Sequence, residues 1–498
     1  MKENIKLGSA TRNFISECSG QFIEGEWSSQ EGCAQIPVIE PAMDLLMTHL
    51  NEASSEQVDA AVTAAKSAFQ LNSPWRSMGP TERERIIHAF ADAIEQDAEL
   101  LSELITLELG APINAARFFE VNKAVETFRY FAGFPTKITG DVINVDSGPE
   151  QEAYFAYTNS EPVGVVCAIV PWNAPLMIAA WKLAPALAAG CTVVMKPSEE
   201  ASLVALRLAQ LAVQAGIPKG VFNVVVGRGE TVGESLLNNT GIDKYTFTGS
   251  VSTGKRIHQA ASERMVRLSL ELGGKSPVIV NHDADLAQAI PGVAMGAFAN
   301  SGQVCVAGSK VFVHEDILAS FVEGVVAFAQ SLQIGSGFEA ETQIGPVVSK
   351  RQLASIQNYI SEAKSEGAQV YEVDLPKLDG FFVAPTIISD LPADSRLLSE
   401  EIFGPVMTIQ SFRDSSDLVN EANASTYGLA AMVWSDSQKS IQTLCRDLRV
   451  GTIFVNTPAF PPANVPTGGF RESGVGRDLG AAGIAGYLET KSIISRYA

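Results

Sequence analysis

Val163-Gly164-Val165-Val166-Cys167-Ala168-Ile169-Val170 is a short apolar run, rich in β-branched residues and closed by Pro171-Trp172-Asn173. A helical stretch over 177–189 follows, and then a second apolar run from Thr192 to Met195. The unit repeats: Phe222 to Val226 and Tyr245 to Thr248 are further β-rich runs, with helical stretches over 200–214 and 230–238 between them. Strand and helix in alternation predict a parallel sheet covered on both faces. Ligands of such sheets sit beyond the carboxyl ends of the strands. Asn173, Lys196, Gly227, Gly229 and Gly249 all fall at those ends.

The same alternation begins again at Ser276-Pro277-Val278-Ile279-Val280. It continues through Lys310 to His314, Thr386 to Ile388, Val406 to Ile409, Met432 to Trp434 and Gly451 to Asn456, which predicts a second α/β domain. On the other side, Ser55 opens a helical pattern carried by Val58, Ala61, Val62, Ala65 and Phe69. Thr81-x-x-Glu84 reads as a capping box for a long amphipathic helix that Gly110 can end, and a third helix covers about 116 to 132. Residues 1 to about 20 read as an arm. Phe22 to Trp27 and Glu40-Pro41-Ala42 read as short strands with turns. Asp141 to Val145 and Glu152 to Tyr157 alternate around Gly148-Pro149 and predict a hairpin, with which the strand-like Tyr487 to Tyr497 can pair at home or on a neighbouring subunit.

With 498 residues the chain exceeds a single core. A formal charge of −20 repels phosphate backbones and anionic lipid, which argues against nucleic-acid or membrane partners and for a small, weakly charged substrate. The six cysteines show no C-x-x-C or Cys/His clustering, so neither a metal site nor a disulfide framework is expected. Met1-Lys2-Glu3-Asn4-Ile5-Lys6 leads into no apolar segment, so a cytoplasmic protein is expected. None of the five histidines sits in a nucleophile-like motif.

The chemistry gathers around Gly302-Gln303-Val304-Cys305-Val306-Ala307-Gly308 and, some thirty residues earlier, Glu271-Leu272-Gly273-Gly274. A thiol between two valines also fits a small buried hydrophobe. Its company argues for a nucleophile with a carboxylate base. Two glycine loops come close to phosphate-binding motifs. Gly227-x-Gly229-x-x-x-Gly233 is one residue off the dinucleotide fingerprint, and Gly249-Ser-Val-Ser-Thr-Gly254-Lys255 lacks the Ser or Thr of a P-loop because Arg256 follows. Each follows a strand and opens a helix, where N–H groups attract a pyrophosphate. A turn without a ligand satisfies the same pattern.

Taken with these, Pro171-Trp172-Asn173-Ala174-Pro175, Met195-Lys196-Pro197-Ser198-Glu199, Phe247-Thr248-Gly249-Ser250, Leu270 to Lys275, Gly302 to Cys305, Glu401-Ile402-Phe403-Gly404-Pro405 and Gly468 to Gly474 stand in an order and spacing that resembles the NAD(P)-dependent aldehyde dehydrogenase superfamily, from about Phe22 to the C-terminus. The resemblance implies two Rossmann-like parallel-sheet domains and an oligomerisation element. Residues 1–139 and 162–273 would bind the dinucleotide, 274–473 would be catalytic, and 140–161 with 474–498 would build a homodimer or homotetramer. It implies Cys305 as nucleophile, Asn173 as oxyanion donor and Glu271 as the base for water.

By the same resemblance the cofactor contacts are Val170, Pro171, Trp172, Lys196, Ser198, Glu199, Gly229, Gly233, Phe247, Thr248, Gly249, Ser250, Leu272, Gly273, Glu401 and Phe403. A carboxylate at Glu199 repels a 2′-phosphate, so NAD is expected over NADP, which Lys196 would otherwise serve. The substrate tunnel would be lined by Ile178, Trp181, Val304, Val306, Phe460 and Thr467. None of these is charged, which predicts an apolar aldehyde: aromatic, terpenoid or medium-chain. Thr467 stands where relatives often carry an aromatic residue. Three rival readings remain: a coenzyme A-acylating semialdehyde dehydrogenase, against which Glu271 speaks; a catalytically silent protein on the same scaffold; and an NTPase using the Gly249–Lys255 loop.

Overall fold

The computed structural model describes residues 5–18, 20–146 and 153–497. Met1–Asn4 and the expected hairpin turn, with Gly148, Pro149 and Glu152, lie outside them.

The opening run forms the strand Val165–Ile169 at the centre of an eight-stranded sheet. Its parallel neighbours are Thr192–Lys196 on one side and Lys244–Gly249 on the other, followed outward by Phe222–Val224 and Arg267–Leu272. Val165, Val166, Cys167 and Ala168 are all buried, as a strand covered on both faces requires. One cover is the helix Pro175–Ala189. It opens with proline in the first turn, ends at Gly190 in the left-handed conformation, and buries nearly every residue between. The sheet is not purely parallel. Gln21–Ile23 and Glu26–Ser28 close one edge as an antiparallel hairpin, and Gly474–Val475 pairs antiparallel with Arg267–Leu272 at the other.

The second sheet has seven strands. Thr386–Ser389, Val406–Phe412, Lys310–His314, Pro277–Val280, Ala430–Trp434 and Thr452–Val455 run parallel in that spatial order, and Gln369–Glu372 joins antiparallel outside Thr386–Ser389. A small third sheet places Ala153–Pro162 between Val142–Ile143 and the C-terminal strand Leu488–Tyr497. The C-terminal strand therefore pairs at home, from Leu488 opposite Pro162 to Tyr497 opposite Ala153. This piece begins at Leu488 and not at Gly474, because Gly474–Val475 and the helix Gly480–Ala485 belong to the first sheet and its cover.

Two local expectations fail for identifiable reasons. The Thr81/Glu84 capping box does not form. The helix Pro80–Gln96 starts two residues earlier, with Gly79 as cap and Pro80 in the first turn, and Glu84 instead accepts from the Thr136 hydroxyl. The long helix is also two, Pro80–Gln96 and Ala98–Leu109, broken at Asp97, whose carboxylate accepts from Nε and Nη2 of Arg207, each at 2.7 Å. Gly110 does end the second at φ 74. The N-terminal arm holds a helix, Ser9–Glu17, tethered by the Glu103 carboxylate to the Gly8 N–H at 2.9 Å. No described helix is long and apolar enough to cross a membrane.

Candidate active site

Five parallel strands of the first sheet end on one side, and their carboxyl ends deliver Trp172 and Asn173, Lys196 to Glu199, Gly227 to Gly229, Gly249 and Ser250, and Leu272 to Gly274. Cys305 arrives from the second sheet, on the loop between the helix Leu286–Phe298 and the strand Lys310–His314. That loop is tightly determined. Asn300 and Ser301 both adopt left-handed conformations (φ 51 and 55), and Gly302 follows at φ 71, where an added Cβ would fall 2.0 Å from the Gly404 carbonyl oxygen. Gln303 is fully buried. Its amide donates to Asn300 O at 3.1 Å, and its side-chain oxygen accepts from Val348 N at 2.9 Å.

The two halves of the site meet through hydrogen bonds and backbone contact. Asn173 Nδ2 donates to Gln303 O at 2.9 Å, and Asn300 Nδ2 donates back to Asn173 O at 2.8 Å. A Cβ at Gly274 would stand 3.1 Å from the Cys305 carbonyl oxygen, so the glycine pair is what lets the Glu271 strand end press against the cysteine loop. Glu271 is buried at the end of its strand, beneath Gly468, where a Cβ would come within 2.6 Å of Glu271 Oε1. That Oε1 meets no protein donor. Burial first, and then the charge of Asp478, push the Glu271 carboxyl well above the usual range, while Lys182, Arg477 and the Gly469 N–H pull the other way. The Cys305 thiol is pushed up to about 12 by burial and by the nearby charges of Glu401 and Glu271, opposed by backbone N–H groups of Val306 and Cys305. A thiol held so high is not a spontaneous thiolate at neutral pH, and it needs a proton acceptor at the moment of attack.

Glu401 sits against the glycine pair. It accepts from Gly274 N at 3.3 Å, and a Cβ at Gly273 would strike its carboxylate at 2.0 Å. Burial lifts it to about 7, with the Gly274 N–H and Lys275 lowering it. Phe403, in a left-handed conformation at φ 54, meets the Trp172 ring edge-on at 5.4 Å between centroids. The Glu401–Phe403 turn thus packs directly against strand ends of the first sheet.

Farther along the strand ends, a Cβ at Gly229 would meet nothing within 4 Å, and one at Gly233 would only graze Arg228 O and Lys196 Cε at 4.0 Å, so space is open at these two positions. Gly249 lies over its own Phe247 ring, which a Cβ would hit at 2.5 Å, and Leu272 packs in the same way under Gly254. Ser250 caps the helix Val251–Arg264 by accepting from Thr253 N, and the Thr248 hydroxyl is buried without a protein partner. Lys196 is buried, donates to Pro197 O at 2.9 Å, and lies 4.0 Å from the half-exposed Glu199 carboxylate; Val170 N donates to Lys196 O at 3.0 Å. Ser198 closes the turn by accepting from Glu200 N at 3.4 Å. Lys255 pairs with Glu472 at 2.8 Å and Arg256 with Glu234 at 2.8 Å, so neither cation of the P-loop-like segment is committed to a phosphate.

The family model described as "Aldehyde dehydrogenase family" matches residues 27–493. This chain belongs to the aldehyde dehydrogenase family. It is 42% identical over 480 residues to the phenylacetaldehyde dehydrogenase of Pseudomonas fluorescens, covering 96% of this chain and 95% of that one. It is 41% identical over 478 residues to human mitochondrial aldehyde dehydrogenase, covering 96% and 92%. The solved NAD+ complex of an aldehyde dehydrogenase from Bacillus cereus superposes with a TM-score of 0.96 at 40% identity, covering 99% of this chain and 100% of that one.

Ile178 and Trp181 are buried on the helix that Asn173 precedes, Val304 and Val306 flank Cys305 half-buried, and Phe460 is 43% exposed. Thr467 exchanges both backbone hydrogen bonds with Asp478 at 2.9 Å, which ties the 457–467 loop to the floor under Glu271. Three charged groups escaped the sequence reading. Lys182 and Asp478 form a fully buried ion pair at 2.5 Å, 296 residues apart along the chain, next to Glu271. Lys123 places its ammonium 3.9 Å from the centre of the Phe460 ring and pairs with Glu126, so the surroundings of Phe460 are not free of charge. Only the Lys182 position, on the core face of a helix otherwise apolar for two turns, carried a signal that reading could have used.

Proposed function

We propose that the chain oxidises an aldehyde to its carboxylic acid through a thioester on Cys305, with NAD as acceptor and Glu271 as the base that clears the thioester. The observation that carries this reading is that the segments bearing Cys305, Asn173 and Glu271 meet at one junction: Asn173 is bonded to the residue two before the cysteine, and the glycine pair after Glu271 presses on the cysteine carbonyl. Cys305 Sγ forms a bond to the carbonyl carbon as its proton leaves, either to the Glu271 carboxylate or along a water chain to solvent. Asn173 Nδ2 turns from Gln303 O to the developing oxyanion, which the Cys305 N–H also faces. One such donor contributes about 3 kcal/mol. NAD, when bound, would supply the acceptor for the hydride that leaves the thiohemiacetal carbon. Glu271, which passes any proton it took from sulfur to solvent and so is a carboxylate again, then takes a proton from water. The water oxygen attacks the acyl carbon, the C–S bond breaks, and the acid departs as Cys305 regains its proton.

Lys196, Glu199, Gly229, Gly233, Gly249 and Ser250 are the residues to grip the dinucleotide, with the Glu199 carboxylate on the adenine ribose hydroxyls, and Glu401 with Phe403 to hold its nicotinamide end. The NAD+ complex of the Bacillus cereus relative supports NAD, and Glu199 favours NAD over NADP. An apolar aldehyde suits Trp181, Val304 and Val306, and the relative named for phenylacetaldehyde supports it. The first sheet forms the cofactor half and 274–473 the catalytic half. The small third sheet exposes Tyr157, Ile494 and Tyr497, as a homodimer or homotetramer contact would. A cytoplasmic enzyme fits the scattered free thiols.

Measured side by side with NAD and NADP, kcat/KM for benzaldehyde or octanal exceeds that for succinic semialdehyde, and NAD exceeds NADP. A preference for the semialdehyde overturns the substrate reading. Acid formed without added coenzyme A separates hydrolysis from acyl transfer.

The buried Lys182–Asp478 pair yields a further expectation. Asp478 raises the Glu271 carboxyl and Lys182 lowers it. Asp478→Asn removes the first influence and frees the second, so the acid limb of the kcat–pH profile moves to lower pH. Breaking a buried pair also costs about 3–5 kcal/mol of stability, read as a lower midpoint in urea. An unmoved or upward-shifted limb refutes the coupling.

A further inference from the structure

We infer that Glu120 is a positioning residue for the Asn173 amide, holding the start of the helix Pro175–Ala189, and with it the oxyanion site, from the π-helical turn Ala116–Val121. The inference rests on the proposed role of Asn173.

The helix Pro175–Ala189 has no cap of its own. Ala174 stands at the cap position, with no side chain to accept, and Pro175 has no N–H to offer. The first free donors are the N–H groups of Leu176 and Met177, and both turn to Glu120 Oε1, at 2.8 and 3.4 Å. A carboxylate supplied from another element therefore does what a cap does, and it also sits at the positive end of the helix dipole. Glu120 is buried, its carboxyl lifted to about 7 by that burial and drawn back by the two N–H groups. It lies in the π-helical turn Ala116–Val121, where Glu120 and Val121 are buried while Phe118 and Phe119 are exposed.

Only Ala174 and Pro175 separate Asn173 from the capped turn. Asn173 has its carbonyl pinned by Asn300 and its amide aimed at Gln303 O, so its reach toward the sulfur's bound carbonyl depends on where the helix begins. Release of that start lets the amide drift from a position where small displacements are costly. Glu120 touches none of the reacting atoms. It acts through the helix.

The test is the burst of NADH at saturating NAD, with NAD affinity read separately by fluorescence. Glu120→Leu slows the burst about ten-fold and leaves the Kd for NAD within about two-fold, while Glu120→Gln, which keeps an accepting oxygen, recovers to within about three-fold of the parent. In an Asn173→Ala background, Glu120→Leu adds less than about a two-fold loss, because the two changes remove one interaction. If Glu120→Leu does not fold, Glu120→Asp, one methylene short of both N–H groups, replaces it with the same expectation. A burst near the parent rate in Glu120→Leu, or losses that multiply with Asn173→Ala, overturns the inference. A slow Asn173→Ala beside a normal Glu120→Leu refutes this inference alone, whereas an unchanged Asn173→Ala refutes the oxyanion reading and takes the inference with it.

Discussion

Cys305→Ala abolishes aldehyde-dependent NADH formation, by on the order of 10⁴-fold or more, while NAD still binds. The magnitude follows from the role. Without sulfur there is no covalent adduct, and the Asn173 amide and Cys305 N–H have no oxyanion to stabilise. The other five cysteines do not substitute. Cys18, Cys167 and Cys191 are buried in cores, Cys33 stands just before the strand Gln35–Glu40, and Cys445 is exposed on the helix Gln438–Asp447. Fluorescence titration with NAD, set beside a steady-state assay, separates the two effects. Residual turnover above about 1% of the parent places the nucleophile elsewhere.

Glu271→Gln has the second-largest effect, and it falls on a different step. The variant keeps a hydrogen-bonding side chain of the same size but cannot accept a proton, so turnover drops about 10²–10⁴-fold. Because attack by sulfur can use a water chain, the burst of NADH in the first turnover survives. A parallel collapse of burst and steady state assigns Glu271 to both steps. The parent enzyme also carries a pH signature. Burial and Asp478 raise the Glu271 carboxyl, so the base form grows as pH rises through that raised value, and kcat climbs in a range where an exposed glutamate is already fully ionised. In Glu271→Gln this dependence disappears.

Much of the scaffold was legible because buried parallel strands announce themselves. The run at 163–170 holds the strand Val165–Ile169, and the run at 192–195 holds Thr192–Lys196, each bounded by residues that cannot continue it. Arg267–Leu272 was harder. Its Arg267, Ser269 and Glu271 alternate with leucines, so it reads like a half-exposed strand although it lies beside Lys244–Gly249. Gln369–Glu372 is a mostly polar edge strand of four residues with little pattern to find. The capping box at Thr81 misled because proline in the first helical turn overrode it, whereas Ser54 and Gln57 form a real one before Ser55–Ala68.

The site divides in the same way. Cys305, Asn173 and Glu271 were legible because each sits in a motif where glycine or proline fixes the backbone. Lys182 and Asp478 were not, since a buried ion pair between residues 296 apart leaves no local trace. Lys123 was missed for a related reason. An i, i+3 pair with Glu126 looks like ordinary helix surface until the 457–467 loop lays Phe460 on the ammonium.

The most direct test is the mass of Glu271→Gln after mixing with NAD and benzaldehyde, followed by peptide mapping. The account predicts a protein heavier by one benzoyl group less a hydrogen, with the added mass on the peptide that contains Cys305 and none when NAD is omitted. An unmodified Cys305 peptide under conditions where NADH has formed, or an acyl group on any other residue, contradicts it.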